Sequence, residues 1–323
     1  MKKHFITILY LFALAHLGYA QPVQNINKEA LKDLHMASEN TGSDAVVILH
    51  NNEIIAEWYF GQKKRPIEIM SVLKSIVSLG VGHLLTEGNI DSLDQPVYSF
   101  YPQWKQGRKQ QITIRHLLNH TSGLQNVSNA GVEIYPSPNA INLALAAELE
   151  NDPGSTFSYN NKAVNLLAGI IKKASGQRMD QFFGSVFFNQ MGIDEYRWYF
   201  DKSGNPHAMA GLRLSAKDLA KFGRLILNEG VWEGKRLVSK EYIETMLDQG
   251  QPYDSRFGLL WWRLMDKNDN PVAYYGDGYL GQTLMIMPES GIVAVRQVAQ
   301  DRKYNPETDG FSDFKKMVLK LVN

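Results

Sequence analysis

Hydrophobic and polar positions change their period along the chain, and each change marks an element. Over residues 27–40 the apolar positions recur at helical spacing and predict a first helix. Between Asp44 and Gly61 two apolar runs, AVVILH and IIAEWYF, flank Asn51-Asn52 and predict a β-hairpin with a tight turn at the asparagines. From about 70 to 247 the pattern is mostly helical, broken by loops. Strand-like runs then return at 257–264, 272–275, 283–287 and 292–298, followed by a last helix from about residue 311. Strands at both ends of the chain around a helical middle predict an α+β fold. Its antiparallel sheet is flanked by helices and built from about 27–69 and 250–323, with a mostly helical region, about 70–249, inserted. No internal repeat is present.

The helix predicted from residue 70 carries the first chemical signal. Its apolar positions at 72, 73, 76, 77, 79, 81, 84 and 85 spread over more than one face, so it should be mostly buried, and Gly88 supplies a stop. Ser71-Val72-Leu73-Lys74 opens this helix. Residues three apart share a helical face, which brings the Lys74 amine beside the Ser71 hydroxyl. A serine hydroxyl needs a base within hydrogen-bond reach to act as a nucleophile, and no Ser-His-Asp signature offers one, so the lysine is the candidate. At a helix N-terminus the unpaired N–H groups favour an anionic intermediate and a neutral Lys74, and the Ser71 N–H is a candidate oxyanion donor. A second motif, Tyr159-Asn160-Asn161, lies in the loop PGSTFSYNN, of the kind that presents side chains from a rigid scaffold. SxxK alone is weakly diagnostic, because the chain repeats it as Ser312-Asp313-Phe314-Lys315, which reads as the solvated side of the terminal helix.

Composition narrows the class. At 323 residues with 44% hydrophobic content the chain can bury a large core. Residues 1–20 differ from the rest: Lys2 and Lys3, an apolar run from Phe5 to about Leu17, then Gly18-Tyr19-Ala20, which predicts a cleavable signal peptide and an exported, periplasmic or secreted, protein spanning 21–323. The run is too short for a membrane span. The chain has no cysteine, so neither a disulfide nor a cysteine-linked lipid anchor is expected. Cleavage would remove two of 34 basic residues against 33 acidic ones, and a near-neutral chain without a basic run offers no footprint for nucleic acid.

Ordered blocks then point to a family. SVLKSIVSLGVGHLLTEGNIDSLDQPV, ITIRHLLNHTSGL, PGSTFSYNN, GLRLSAKDLAKFGRLILNEG and GYLGQTLMIMPESGIVAV resemble the serine β-lactamase and penicillin-binding-protein superfamily. The resemblance is to the branch of class C β-lactamases, esterases and 6-aminohexanoate-dimer hydrolases, and it runs from about Asn27 to the C-terminus. It implies a β-lactamase/transpeptidase-like fold and a cofactor-free serine hydrolase. Ser71 would be the nucleophile, with Lys74 and Tyr159 moving protons and either of them the first base. Asn161 would bond Lys74 or the substrate. The substrate would be a small ester, amide or peptide-like molecule. A weak β-lactamase or D-alanyl peptidase, and a non-catalytic binding protein on the same fold, are the alternatives.

The third motif departs from that family. Where related enzymes carry a Lys-Thr-Gly triplet or a histidine version, this chain reads Tyr275-Gly276-Asp277-Gly278-Tyr279-Leu280-Gly281-Gln282, without lysine or histidine. Efficient penicillin hydrolysis is not expected, since the lysine meets the substrate carboxylate. Tyr279 and Gln282 are taken as supporting or substrate-binding residues, with a second oxyanion donor from the backbone of Tyr279 or Leu280. Asp277 reads either as a turn residue or as a cleft residue favouring an ammonium group. His116 and His120 have the i, i+4 spacing of a metal pair but lack the adjacent glutamate of a zinc hydrolase, so capping or packing is expected and no metal. Trp198 and Tyr135 are candidates for the pocket wall.

Overall fold

The computed structural model describes residues 25–300 and 313–322, and the predicted signal peptide lies outside them. Helix α1 (Lys28–Asn40) starts where Asn27 Oδ1 accepts the Glu29 and Ala30 N–H groups. The hairpin follows as β1 (Ala45–His50) and β2 (Glu53–Trp58). Asn51 and Asn52 have φ of 49° and 70°, the left-handed values that a two-residue turn of this kind requires.

The chain then leaves the sheet and returns as β3 (Trp262–Met265), β4 (Pro271–Gly278), β5 (Gln282–Met287) and β6 (Ile292–Gln297). The six strands lie in the order β2-β1-β6-β5-β4-β3, all antiparallel. Pairing from Ala45↔Gln297 to His50↔Ile292 joins the two ends of the chain inside the sheet, as the sequence predicted. The predicted strand 257–264 is shorter than expected. Gly258 N–H donates to Trp261 O at 2.8 Å, and Phe257, Leu259, Leu260 and Trp261 turn into the core instead of extending.

Both faces of the sheet are covered, which explains why β1 reads as an unbroken apolar run. Val46 and Ile48 pack with Leu34 of α1 on one face, and Val47 and Leu49 join the main core on the other. That main core holds α2 (Val72–Thr86), buried at most positions, and α3 (Ala216–Leu227), capped by Ser215 and lying over β1, β5 and β6. The terminal helix α4 (Phe314–Leu319) lies beside α1, with Phe314 and Val318 buried against the outer face. A small three-stranded sheet of Ile67–Glu68, Leu212–Leu214 and Arg197–Trp198 connects the segment before α2 to residues 209–214. Among the described residues no helix is long and apolar enough to cross a membrane.

Candidate active site

Ser71 sits at the cap of α2, where the buried α2 meets the end of β4. Met70, just before it, has φ of 49°, a strained value for a side chain of this size that re-aims the chain into the helix. The Ser71 N–H has no acceptor among the described residues. One turn on, Lys74 is 2% exposed, and its Nζ donates to Ser71 Oγ at 2.8 Å and to the Met209 carbonyl at 2.8 Å. Burial pushes the Lys74 pKa below the ordinary lysine value, and Tyr159 partly offsets it. Nζ also lies 5.0 Å from the centre of the Tyr159 ring.

Tyr159 is held from behind and from both sides. Its carbonyl accepts Asn126 Nδ2 at 3.0 Å. The His120 ring lies 4.4 Å from its own, and Trp262 stacks at 6.3 Å and 17°. His120 is fully enclosed, and its Nδ1 accepts the Asn160 N–H at 3.1 Å while its carbonyl accepts the Ser158 N–H at 2.8 Å. Desolvation, with Lys74 nearby, drives the His120 pKa well below its usual value, so the ring is neutral at pH 7. His116 accepts the Thr113 N–H at Nδ1 and completes a capping box. The two histidines therefore pack and cap, and among the described residues no cluster of His, Cys, Asp or Glu could hold a metal.

The loop facing Tyr159 is fixed by a buried ion pair. Lys162, 2% exposed, bonds Glu133 at 2.7 Å and Gln125 Oε1 at 2.6 Å. Asn161 does not reach Lys74: its Nδ2 donates to Ser128 O at 3.3 Å, in the same loop, and its Oδ1 has no partner. Of the two roles expected for Asn161, the bond to Lys74 is thus absent.

The strand wall of the cleft is packed tightly against α2 at Gly276. A Cβ at Gly276 would lie 2.6 Å from Ser75 Oγ and 3.3 Å from Val72 Cγ1, so no side chain fits there. Ser75 cannot retreat easily, because its Oγ is bonded to Leu260 O at 2.7 Å. A Cβ at Gly278 would sit 2.8 Å from both Ile69 O and Met70 Cβ, so the strand approaches the residues just before Ser71 closely there. Leu280 turns away with φ of 67° and packs on Met70 and Val298. Arg296, fully buried on β6, donates to the carbonyls of Leu280 and Gly281 at 3.4 and 3.0 Å and fixes that turn.

Three expectations on this wall are corrected. Gln282 is fully buried and spends its amide on the backbone of Val298, donating to its carbonyl and accepting its N–H, so it ties β5 to the end of β6 and does not face substrate. Asp277 is neither a turn residue nor a free cleft carboxylate: Thr283 Oγ1 donates to its Oδ1 at 2.9 Å and Lys315 Nζ to its Oδ2 at 2.6 Å. Lys315 is accordingly not on a solvated helix side, while Ser312 lies outside the described residues.

The cleft between these walls has a volume of about 480 Å³ and is lined by Ser71, Tyr159, Trp262, Tyr275, Asp277, Gly278 and Tyr279. Trp198 is buried with its Nε1 on His207 O, and Tyr135 is exposed against the His207 ring, so neither lines it.

A Beta-lactamase family model matches residues 29–310. The chain belongs to the Beta-lactamase family. It is 28% identical over 311 residues to the 6-aminohexanoate-dimer hydrolase of Paenarthrobacter ureafaciens, covering 86% of this chain and 78% of that protein. It is 26% identical over 211 residues to Esterase EstB of Burkholderia gladioli, covering 56% of this chain and 52% of that protein. Among solved structures, the octameric penicillin-binding protein homologue from Pyrococcus abyssi superposes with a TM-score of 0.71 at 22% identity, over 91% of this chain and 77% of that one. EstCE1, a hydrolase with promiscuous acyltransferase activity, gives a TM-score of 0.73 at 16% identity, over 90% and 97%. The superfamily and the α+β β-lactamase/transpeptidase-like fold expected from the sequence both hold.

For a Beta-lactamase family member, the groups that sequence reading missed are instructive. The Met209 carbonyl has no sequence signature, because any residue supplies one. Trp262 was visible as half of Trp261-Trp262. Alternation along a strand sends one ring into the core and the other toward the cleft, but nothing in the pair says which.

Proposed function

We propose that this Beta-lactamase-family hydrolase cleaves an ester or amide bond through an acyl-enzyme on Ser71. The observation that carries the reading is the 2.8 Å contact between Lys74 Nζ and Ser71 Oγ at a lysine whose pKa burial has lowered. In its neutral form Lys74 accepts the Ser71 proton as Oγ attacks the carbonyl carbon. The oxyanion is met by the Ser71 N–H, with a backbone N–H of Tyr279 or Leu280 as the candidate second donor. The proton then passes by way of Tyr159 to the departing alcohol or amine as the carbonyl–leaving-group bond breaks. Water, deprotonated along the same route, attacks the acyl carbon and releases Ser71. Asn161, whose Oδ1 is buried and unpartnered and which is outside the cleft lining, has no part in this route.

The reading does not extend to efficient penicillin turnover, because residues 275–282 carry no lysine or histidine to meet a substrate carboxylate. The kinship to proteins named as a 6-aminohexanoate-dimer hydrolase and an esterase supports small esters and amides as the substrate class. Export of residues 21–323 after removal of 1–20 belongs to the same proposal. Recovery outside the cytoplasm of a protein starting at Gln21 would support it, and a retained Met1 would overturn it.

The test is the intact mass of the chain lacking residues 1–20, wild type and Ser71→Ala, after brief exposure to a fluorophosphonate, a short nitrophenyl ester and penicillin. The expected result is an adduct from the first two on wild type only. Absence of any adduct would favour a binding protein on this fold, and a penicillin adduct on Ser71 would restore the cell-wall alternative.

A further inference from the structure

Asp277 lines the cleft with Ser71, yet its carboxylate is not available to a substrate as a single charge. Lys315, reaching over from α4, bonds it at 2.6 Å, and the same ammonium lies 4.6 Å from the centre of the Tyr275 ring. The side chains are partly covered, at 37% exposed for Asp277 and 21% for Lys315. Trp262 stacks on Tyr275 at 6.4 Å and 16°, so the charge pair continues the aromatic row Tyr159, Trp262, Tyr275 that forms one side of the cleft. At Gly276 no third charge can be placed.

We propose that Asp277 and Lys315 form a specificity-determining ion pair that keeps the cleft of this enzyme from favouring ester and amide substrates of either charge. The inference rests on the acyl-enzyme reading given above. Two opposite charges in contact present a substrate with a dipole, whose field fades faster than that of either charge alone. Removing one partner leaves a net charge at the wall, and the sign of that charge decides which substrates gain. The pair thus holds two latent selectivities of opposite sign in balance. At a separation of about 6 Å and an effective dielectric constant between protein surface and water, a lone charge changes the preference for a charged over a neutral substrate by about five- to tenfold.

The experiment compares three nitrophenyl esters of equal acyl length ending in trimethylammonium, tert-butyl or carboxylate, at low ionic strength, on wild type, Lys315→Met, Asp277→Asn and the double variant. The readout is the ratio of kcat/KM for each charged ester to that of the neutral one, so a uniform loss of activity cancels. Wild type should hold both ratios within about threefold of unity. In Lys315→Met the cationic ratio should rise about five- to tenfold and the anionic ratio fall, and Asp277→Asn should do the reverse. The double variant should return toward wild type, and salt should shrink both single-variant shifts. Unchanged ratios in either single variant, or shifts of the same sign in both, overturn the inference. The two failures are separable: if wild-type Ser71 takes no acyl group from the neutral ester, the underlying reading fails, whereas acylation with unchanged ratios sinks the ion-pair inference alone.

Discussion

On the helical side of the cleft every group that could move a proton is held in more than one direction. On the strand side the ionisable groups have been dropped or paired off. Lys74 is fixed by Ser71 Oγ and Met209 O, and Tyr159 is backed by His120 and tied through its carbonyl to Asn126. Across from them, Gly276 has no side chain, Gln282 serves Val298, and Asp277 is neutralised by Lys315. Proton transfer tolerates little displacement, because it needs donor and acceptor within hydrogen-bond reach, whereas recognition can be reset by changing one strand. On the proposed function, the helical wall would keep the chemistry and the strand wall would set what is admitted.

The sharpest way to break this contrast is at Tyr159. Tyr159→Phe should lower single-turnover acylation by about 10²- to 10⁴-fold with little change in the thermal midpoint, since the ring packing against His120 and Trp262 survives. In the wild type, kcat/KM should rise with pH as Lys74 loses its proton, reaching its plateau below the pH at which an ordinary lysine titrates. A rate that falls over that range would remove Lys74 as the base.

Next in size is Lys162→Met, which leaves Glu133 with the Val127 N–H but without its ion partner, beside the loop that faces Tyr159. Breaking one partner of a buried pair should cost about 3 kcal/mol in urea unfolding, and an unchanged midpoint would show that the loop is held by other contacts. On the strand wall, Gly276→Ala should cost about 2 kcal/mol, because the added methyl meets Ser75, whose hydroxyl is already committed to Leu260. If Gly276→Ala left stability intact, space for a side chain would exist between this strand and α2.

The smallest effect is on pH-dependent stability. His120 stays neutral in the fold but takes a proton when unfolded at its usual pKa of 6.5, so stability should decline as pH falls below about 6.5. His116 and His207, also lowered by burial, add to the slope. His120→Gln should reduce that slope by up to about 1.4 kcal/mol per pH unit, measured from urea midpoints between pH 6.5 and 5.

Sequence reading recovered the features that local pattern dictates. The hairpin at Asn51-Asn52, the buried α2 and the pairing of Ser71 with Lys74 all depend on periods of two or 3.6 and on contacts within one turn. It failed where a side chain's partner came from far along the chain. Asp277 could not be assigned because Lys315 is on another helix, and Gln282 looked available because the bond to Val298 forms only once β5 and β6 are paired. Asn161 drew its expected role from Lys74, but the loop at Ser128 is nearer to its amide. Each error came from tertiary neighbours that no local window contains.

The sheet that joins both chain ends also has a consequence in time. β1 and α2 emerge early in synthesis, but the strands against which they pack, β4 to β6, are made about two hundred residues later. Contacts so far apart in sequence make for slow folding and leave the early segments waiting with apolar surface uncovered. A nascent chain therefore carries Ser71 and Lys74 long before the cleft around them exists, and that cleft is assembled only when the last strands close the sheet.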